Sequence, residues 1–186
     1  MATRDLSERQ GAIARPRSDK SSARESADAD PEAVARSIAL QMLERQPRTR
    51  AELARGMARR GVPEDAAAAV LDRFTEVGLI DDEAFASAWV DSRHAGRALG
   101  RRALTAELRR RGVEAETIKV AVETVTDEDE HAAARALAQR KLATMRSLPT
   151  ETQTRRLVGM LARKGFSQGL ALRVIRDLLA DGRSRA

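Results

Sequence analysis

"RRALTAELRRRGV", residues 101–113, sets five arginines and one glutamate around Leu104 and Leu108 and then stops at Gly112. Leucines four apart lie on one face of a helix, and a glycine directly after a basic last turn marks a helix C-terminus. The stretch therefore reads as a helix with a narrow apolar stripe and a dense basic face. Its pattern occurs twice more when the chain is aligned on the glycine. "TRAELARGMARRGV" (49–62) ends at Gly61 and Val62, and "TRRLVGMLARKGF" (154–166) ends at Gly165 and Phe166, so the three glycines stand 51 and 53 residues apart. Eight residues before each glycine come Leu53, Leu104 and Leu157; four before, Met57, Leu108 and Leu161; thirteen after, Phe74, Val125 and Leu178. Two cations precede the glycine each time: Arg59 and Arg60, Arg110 and Arg111, Arg163 and Lys164.

A glycine stop followed by a second apolar-periodic segment predicts a helical hairpin. The second helices begin with suitable residues: Pro63, Glu64 and Asp65 in the first unit, Glu114 and Glu116 in the second, Ser167 as an N-cap in the third. A further helical segment precedes each hairpin, over Val34 to Gln46, Glu83 to Ala95 and Glu130 to Met145. The predicted fold is thus all-α: three tandem three-helix, helix-turn-helix-like repeats over residues 31–80, 81–126 and 127–182, forming an elongated, bent array. Such small units bury little alone and are expected to pack on their neighbours. Composition agrees, since 42% of the 186 residues are hydrophobic but only 2% are aromatic, which disfavours a β-sandwich or barrel.

Residues 1–30 carry six basic and six acidic side chains and almost no large apolar ones, and are expected to form a disordered tail. The longest apolar run, Ala66 to Leu71, is far too short to span a membrane, and the N-terminus has no hydrophobic core of a signal peptide. With no cysteine there is no disulfide framework and no thiolate site. A cytoplasmic monomer is expected.

No catalytic, cofactor-binding or metal-binding residues are assigned. His94 and His131 fall on different predicted helices with no zinc-ligand spacing and are expected at the solvated surface. The acids of "IDDEAF" (80–85) precede a helix, where Asp81 or Asp82 serves as N-cap. Gly96 and Gly100 flank "RAL" without the Gly-Lys-Ser/Thr end of a phosphate loop.

Charge is the remaining signal. The formal net charge is +6, and its distribution is uneven. Residues 93–112 hold seven arginines and one glutamate, residues 113–130 hold seven acids and one lysine, and residues 131–186 hold twelve cations and three acids. Such separation of sign steers association with a charged partner. The expected partner contacts are Arg93, Arg97, Arg101, Arg102, Arg109, Arg110 and Arg111 in the centre. In the third unit they are Arg140, Lys141, Arg155, Arg156, Arg163 and Lys164. Arg102 and Arg109, seven apart, are nearly eclipsed on the face away from the leucines.

A basic, nucleic-acid-binding protein of helix-turn-helix type is the alternative. Against it, the would-be recognition helices carry Glu64, Asp65, Asp72 and Glu76 in the first unit and Glu114, Glu116 and Glu123 in the second. Only the third, with Arg173 and Arg176, is free of that objection. Four aromatics, Phe74, Phe85, Trp89 and Phe166, do not furnish a base-stacking platform. Weak non-specific contact with phosphates stays open.

Several blocks in order, "PRTRAEL" (47–53), "GLIDDEAFASAWVDSR" (78–93), "RRALTAELRRRGV", "LAQRKL" (137–142) and "RRLVGMLARKGF" (155–166), make the chain similar to the RecX family of regulatory proteins that act on the RecA recombinase. The resemblance covers roughly residues 34–179. It implies three tandem three-helix repeats, in line with the internal alignment. It also implies binding in the groove of the RecA–DNA filament, with restraint of filament growth, ATP hydrolysis and strand exchange in DNA repair, homologous recombination and the SOS response. Where the family often has Gly-x-Gly-Pro before the central basic helix, this chain reads Ala98-Leu99-Gly100-Arg101.

Overall fold

A computed structural model describes residues 30–183 of the chain; the expected tail over residues 1–30 lies, but for Asp30, outside them. The described residues form nine helices and no strand: α1 Pro31–Arg45, α2 Arg50–Ala58, α3 Glu64–Glu76, α4 Asp82–Arg97, α5 Arg101–Arg111, α6 Ala115–Glu123, α7 Asp127–Ala143, α8 Thr150–Arg163 and α9 Gln168–Arg183. They make three successive three-helix bundles, as the repeat predicts, each with its own aliphatic core. The nine aligned apolar positions are buried in these cores, Leu53, Met57, Leu104, Leu108, Leu157 and Leu161 completely.

Caps explain where the helices start. Thr49 Oγ1 accepts from the Glu52 N–H at 3.1 Å while the Glu52 carboxylate accepts from the Thr49 N–H, a reciprocal box that sets the first turn of α2. Thr126 and Asp129 form the same box ahead of α7, so that helix begins at Asp127, three residues before the sequence expectation. Asp81 caps α4 by accepting from the Ala84 N–H at 2.8 Å, in line with the reading of the acidic cluster. α1 begins at Pro31, whose ring presets a helical φ at a position that needs no N–H.

The repeated glycine does two jobs. Gly61, Gly112 and Gly165 all take left-handed φ values, 76°, 86° and 88°. In each case the following residue donates back to the carbonyl five before it: Val62 to Met57, Val113 to Leu108, Phe166 to Leu161. In the second and third bundles this knuckle also presses on the N-terminal end of the preceding bundle's second helix. The carbonyl of Arg111 accepts from Thr49 Oγ1 at 2.8 Å and from Arg55 Nη2 at 2.9 Å. Equivalently, the carbonyls of Lys164 and Gly165 accept from the N–H groups of Gly100 at 2.8 Å and Arg102 at 3.3 Å. Orphan carbonyls at one helix end thereby meet donors at the start of another.

A side chain on these glycines has no room. A Cβ on Gly112 would lie 2.5 Å from Ala51 Cβ, and one on Gly165 would lie 2.3 Å from the backbone nitrogen of Ala103, whereas one on Gly61 meets nothing within 4 Å. Among the described residues, the knuckle at Gly61 meets no receiving helix end and no knuckle reaches the start of α8. At the far end the receiving geometry is also altered: α8 starts seven residues before Leu157, while α2 and α5 start three before Leu53 and Leu104.

The three glycines thus separate two costs. Gly61→Ala should lose about 1 kcal/mol, the left-handed cost alone. Gly165→Ala adds an immovable backbone clash and should lose roughly 2–5 kcal/mol in all. Urea unfolding of the two variants checks this; equal losses would show that the junction does not depend on the bare glycine.

Candidate partner-docking surface

Helix α5 is bound at both ends, and its exposed residues lie just inside them. At its N-terminal end the Arg101 N–H donates to Glu130 Oε1 at 2.9 Å, and its guanidinium pairs with Asp127 and, at 3.2 Å, with Glu130. At its C-terminal end Arg111 pairs with Glu52 at 2.5 Å. Arg101 thus ties the second bundle to the third, and Arg111 ties it to the first. Arg50, the counterpart of Arg101 in the repeat, donates its N–H to Asp82 Oδ1 at 2.9 Å across the first junction.

Between these ends, Arg102, Arg109 and Arg110 are exposed and make no ion pair among the described residues. Leu104 and Leu108, on the opposite face, are fully buried. The backbone that carries these cations is already ordered, so a partner has only their side chains left to immobilise.

The other expected contact residues divide the same way. Arg93 points inward, 3.7 Å from Glu107 and 4.0 Å above the Trp89 ring. Arg97 is exposed, and its carbonyl accepts from Lys164 Nζ at 2.9 Å, so Lys164 is spent on the second junction. Arg140, Lys141, Arg155, Arg156 and Arg163 are exposed on the third bundle. The histidine expectation needs correcting. His94 is half-buried with Nδ1 2.9 Å from the Leu99 carbonyl, because the turn after α4 folds that carbonyl over the ring, and His131 is half-buried as well.

Beside the first junction lies a groove that the sequence reading did not single out. Its floor is Leu43, Pro47, Leu79, Phe85 and Trp89, and Arg48, Arg93 and Arg111 stand at its rim. Phe85 and Trp89 stack with centroids 5.8 Å apart, and the Arg111 guanidinium lies 3.8 Å from the Trp89 ring centre. Trp89 Nε1 donates to Glu107 at 2.9 Å, which fixes the indole. Phe85, Trp89 and Arg93, four residues apart in turn, form one stripe of α4. That spacing was the signal available in the sequence.

Comparison with known proteins places this scaffold. Residues 35–74 match the first three-helix domain of RecX, residues 81–122 the second and residues 127–175 the third. The regulatory protein RecX of Thermobifida fusca is 56% identical over 151 residues, 81% of this chain and 82% of that protein. The chain belongs to the RecX family. The regulatory protein RecX of Mycolicibacterium smegmatis is 46% identical over 83% of this chain and 84% of its own. The crystal structure of RecX from Lactobacillus salivarius shares the fold, with a TM-score of 0.75 over 81% of this chain and 97% of that one at 21% identity. Its RecX relatives are named as regulatory proteins, and no helix among the described residues is long and apolar enough to cross a membrane.

In this RecX chain the departure from Gly-x-Gly-Pro has a structural consequence. Ala98 ends α4 in the left-handed region at φ 47°, the one described non-glycine residue with positive φ. The turn keeps the conformation that glycine favours without the glycine, at a cost of roughly 1–2 kcal/mol.

Asp82, at the first RecX junction, has its carboxyl raised above the usual range by burial. The Arg50 N–H and the Arg50 charge oppose the shift, while Asp81 and Glu114 add to it. The native state therefore holds this proton more tightly than the unfolded chain. Its stabilising contribution is full at low pH and is lost as pH rises through the folded pKa. Asp82→Asn keeps an acceptor for the Arg50 N–H and does not ionise. Its stability relative to wild type should improve as pH rises through the carboxylate range, read from urea midpoints; a flat or opposite trend contradicts the assignment.

Proposed function

We propose that this RecX-family protein is a non-enzymatic regulator that binds the RecA–DNA filament and restrains its growth, ATP hydrolysis and strand exchange. It acts as a monomer in the cytoplasm and needs no cofactor. The observation that carries the reading is the set Arg102, Arg109 and Arg110, exposed and with no ion pair among the described residues, on a helix whose two ends are anchored in neighbouring bundles. Membership of a family of regulatory proteins names the kind of role. The basic face supplies steering toward acidic groups of a protein partner, and the aromatic groove beside it supplies an apolar anchor of the kind found at interface centres.

Restraint follows from the way the face is held. A body of three bundles joined by rigid junctions, bound along a filament, opposes any movement of filament subunits that would change the distance between its contacts. No covalent chemistry is required. An arginine face on the helix that links the two junctions couples local docking to the whole length of the scaffold.

Changing Arg102 and Arg109 together to Ala removes two cations, retains good helix formers and leaves Leu104 and Leu108 in place. The double variant should melt within a few degrees of wild type. Its affinity for RecA filaments should fall by a few kcal/mol, and with it the inhibition of DNA-dependent ATP hydrolysis by RecA, while the protein itself hydrolyses nothing. Wild-type inhibition by the double variant, or unchanged RecA turnover at saturating wild-type protein, would refute the proposal.

A further inference from the structure

The third bundle carries a second basic feature of a different kind. Lys141, near the C-terminal end of α7, and Arg155, Arg156 and Arg163 on α8 surround an open cleft with Gly159 and Met160 in its wall. All four cations are exposed, and none makes an ion pair among the described residues. Glu151 is the only acid on α8.

The chemistry of this cleft differs from that of the groove beside Trp89. In that groove each rim arginine already has a carboxylate: Arg48 and Arg111 share Glu52, and Arg93 faces Glu107. Charge there is largely cancelled, and the floor is apolar and aromatic, which suits a protein side chain. In the α7–α8 cleft the charge is uncompensated and Met160 is the only large apolar group. Four cations around an open cleft with one apolar side chain match a ligand that is itself a row of anions.

Gly159 adds an independent observation. It lies inside α8, where glycine disfavours the helix relative to alanine. A Cβ there would meet only the tip of the Arg163 guanidinium, at 3.4 Å, so packing does not demand a glycine. Its effect is to leave the wall of the cleft open between Arg156 and Arg163. Those two arginines are seven residues apart, so their α-carbons are separated by about 10.5 Å along the helix axis, the axial rise of roughly three nucleotides of a DNA strand.

We infer that this cleft binds the phosphodiester backbone of nucleic acid, through Lys141, Arg155, Arg156 and Arg163 and independently of the face on α5. Binding is insensitive to base identity, since the cleft has no aromatic side chain on which a base could stack. It falls steeply with salt, because each neutralised phosphate releases counterions. The assignment does not rest on the filament reading: it concerns bare nucleic acid and is measured without RecA.

The test is fluorescence anisotropy of a labelled thirty-residue oligothymidylate at several salt concentrations. The triple variant Arg155→Gln, Arg156→Gln, Arg163→Gln should bind at least about tenfold more weakly at low salt. The slope of log affinity against log salt should shrink by about 0.7 per lost phosphate contact. Gly159→Leu removes no charge but fills the wall; it should weaken binding several-fold while melting no lower than wild type. The Arg102→Ala, Arg109→Ala pair should bind the oligonucleotide within twofold of wild type. Wild-type affinity in the triple variant or in Gly159→Leu would overturn the site. So would equal competition by polyglutamate of matched charge, which would mark the cleft as a seat for acidic protein. A folded triple variant that loses the oligonucleotide but still inhibits RecA would leave both readings standing.

Discussion

The structure depends on a contact between two helix ends. The basic knuckle that closes the second helix of one bundle presents carbonyls to donors at the start of the second helix of the bundle before it. Each end carries backbone groups that its own helix cannot satisfy, and each is otherwise left to water. At the second junction joining them satisfies both, and at the first the knuckle carbonyl is satisfied by side-chain donors; each brings the partial negative charge of one terminus against the partial positive charge of the other. The contact requires very close approach, which is why the residue at the knuckle lacks a side chain and why Ala51 and Ala103 face it. A single glycine therefore terminates a helix, turns the chain into the next one and sets the distance between bundles.

The same contact sorts the arginines of α5. Those near the helix ends are consumed in holding bundles together: Arg101 against Asp127 and Glu130, Arg111 against Glu52 and over Trp89. Those that point away from both junctions and from the leucine stripe remain exposed. The helix is thus both a strut and a surface, and the division between the two roles follows from its geometry. In the third bundle, by contrast, four cations with no ion pair among the described residues surround one cleft.

Fold class and repeat were legible in the sequence because they depend on local periodicity: leucines four apart, a glycine stop, and the same triplet of apolar positions three times over. Helix starts were legible to within a few residues, and Asp81 as an N-cap directly so. The fates of individual arginines were not. Arg111 finds Glu52 across 59 residues of chain and Arg101 finds Asp127 across 26, and nothing in the spacing of either pair signals contact. The groove was half-legible, since Phe85, Trp89 and Arg93 form a stripe on α4, but the Leu43 and Pro47 that complete it come from another bundle. His94 was misplaced for the same reason: its partner is a backbone carbonyl in a turn whose path the sequence does not specify.

Bundles of this size bury too little surface to be firmly stable alone. The account therefore requires that the junctions join them into one cooperative unit. Differential scanning calorimetry of the full chain tests this most directly. A single transition whose calorimetric and van't Hoff enthalpies agree is predicted for the helical body. Separate transitions, or a calorimetric enthalpy two to three times the van't Hoff value, would mean that the bundles unfold independently and that the junctions do not govern the structure.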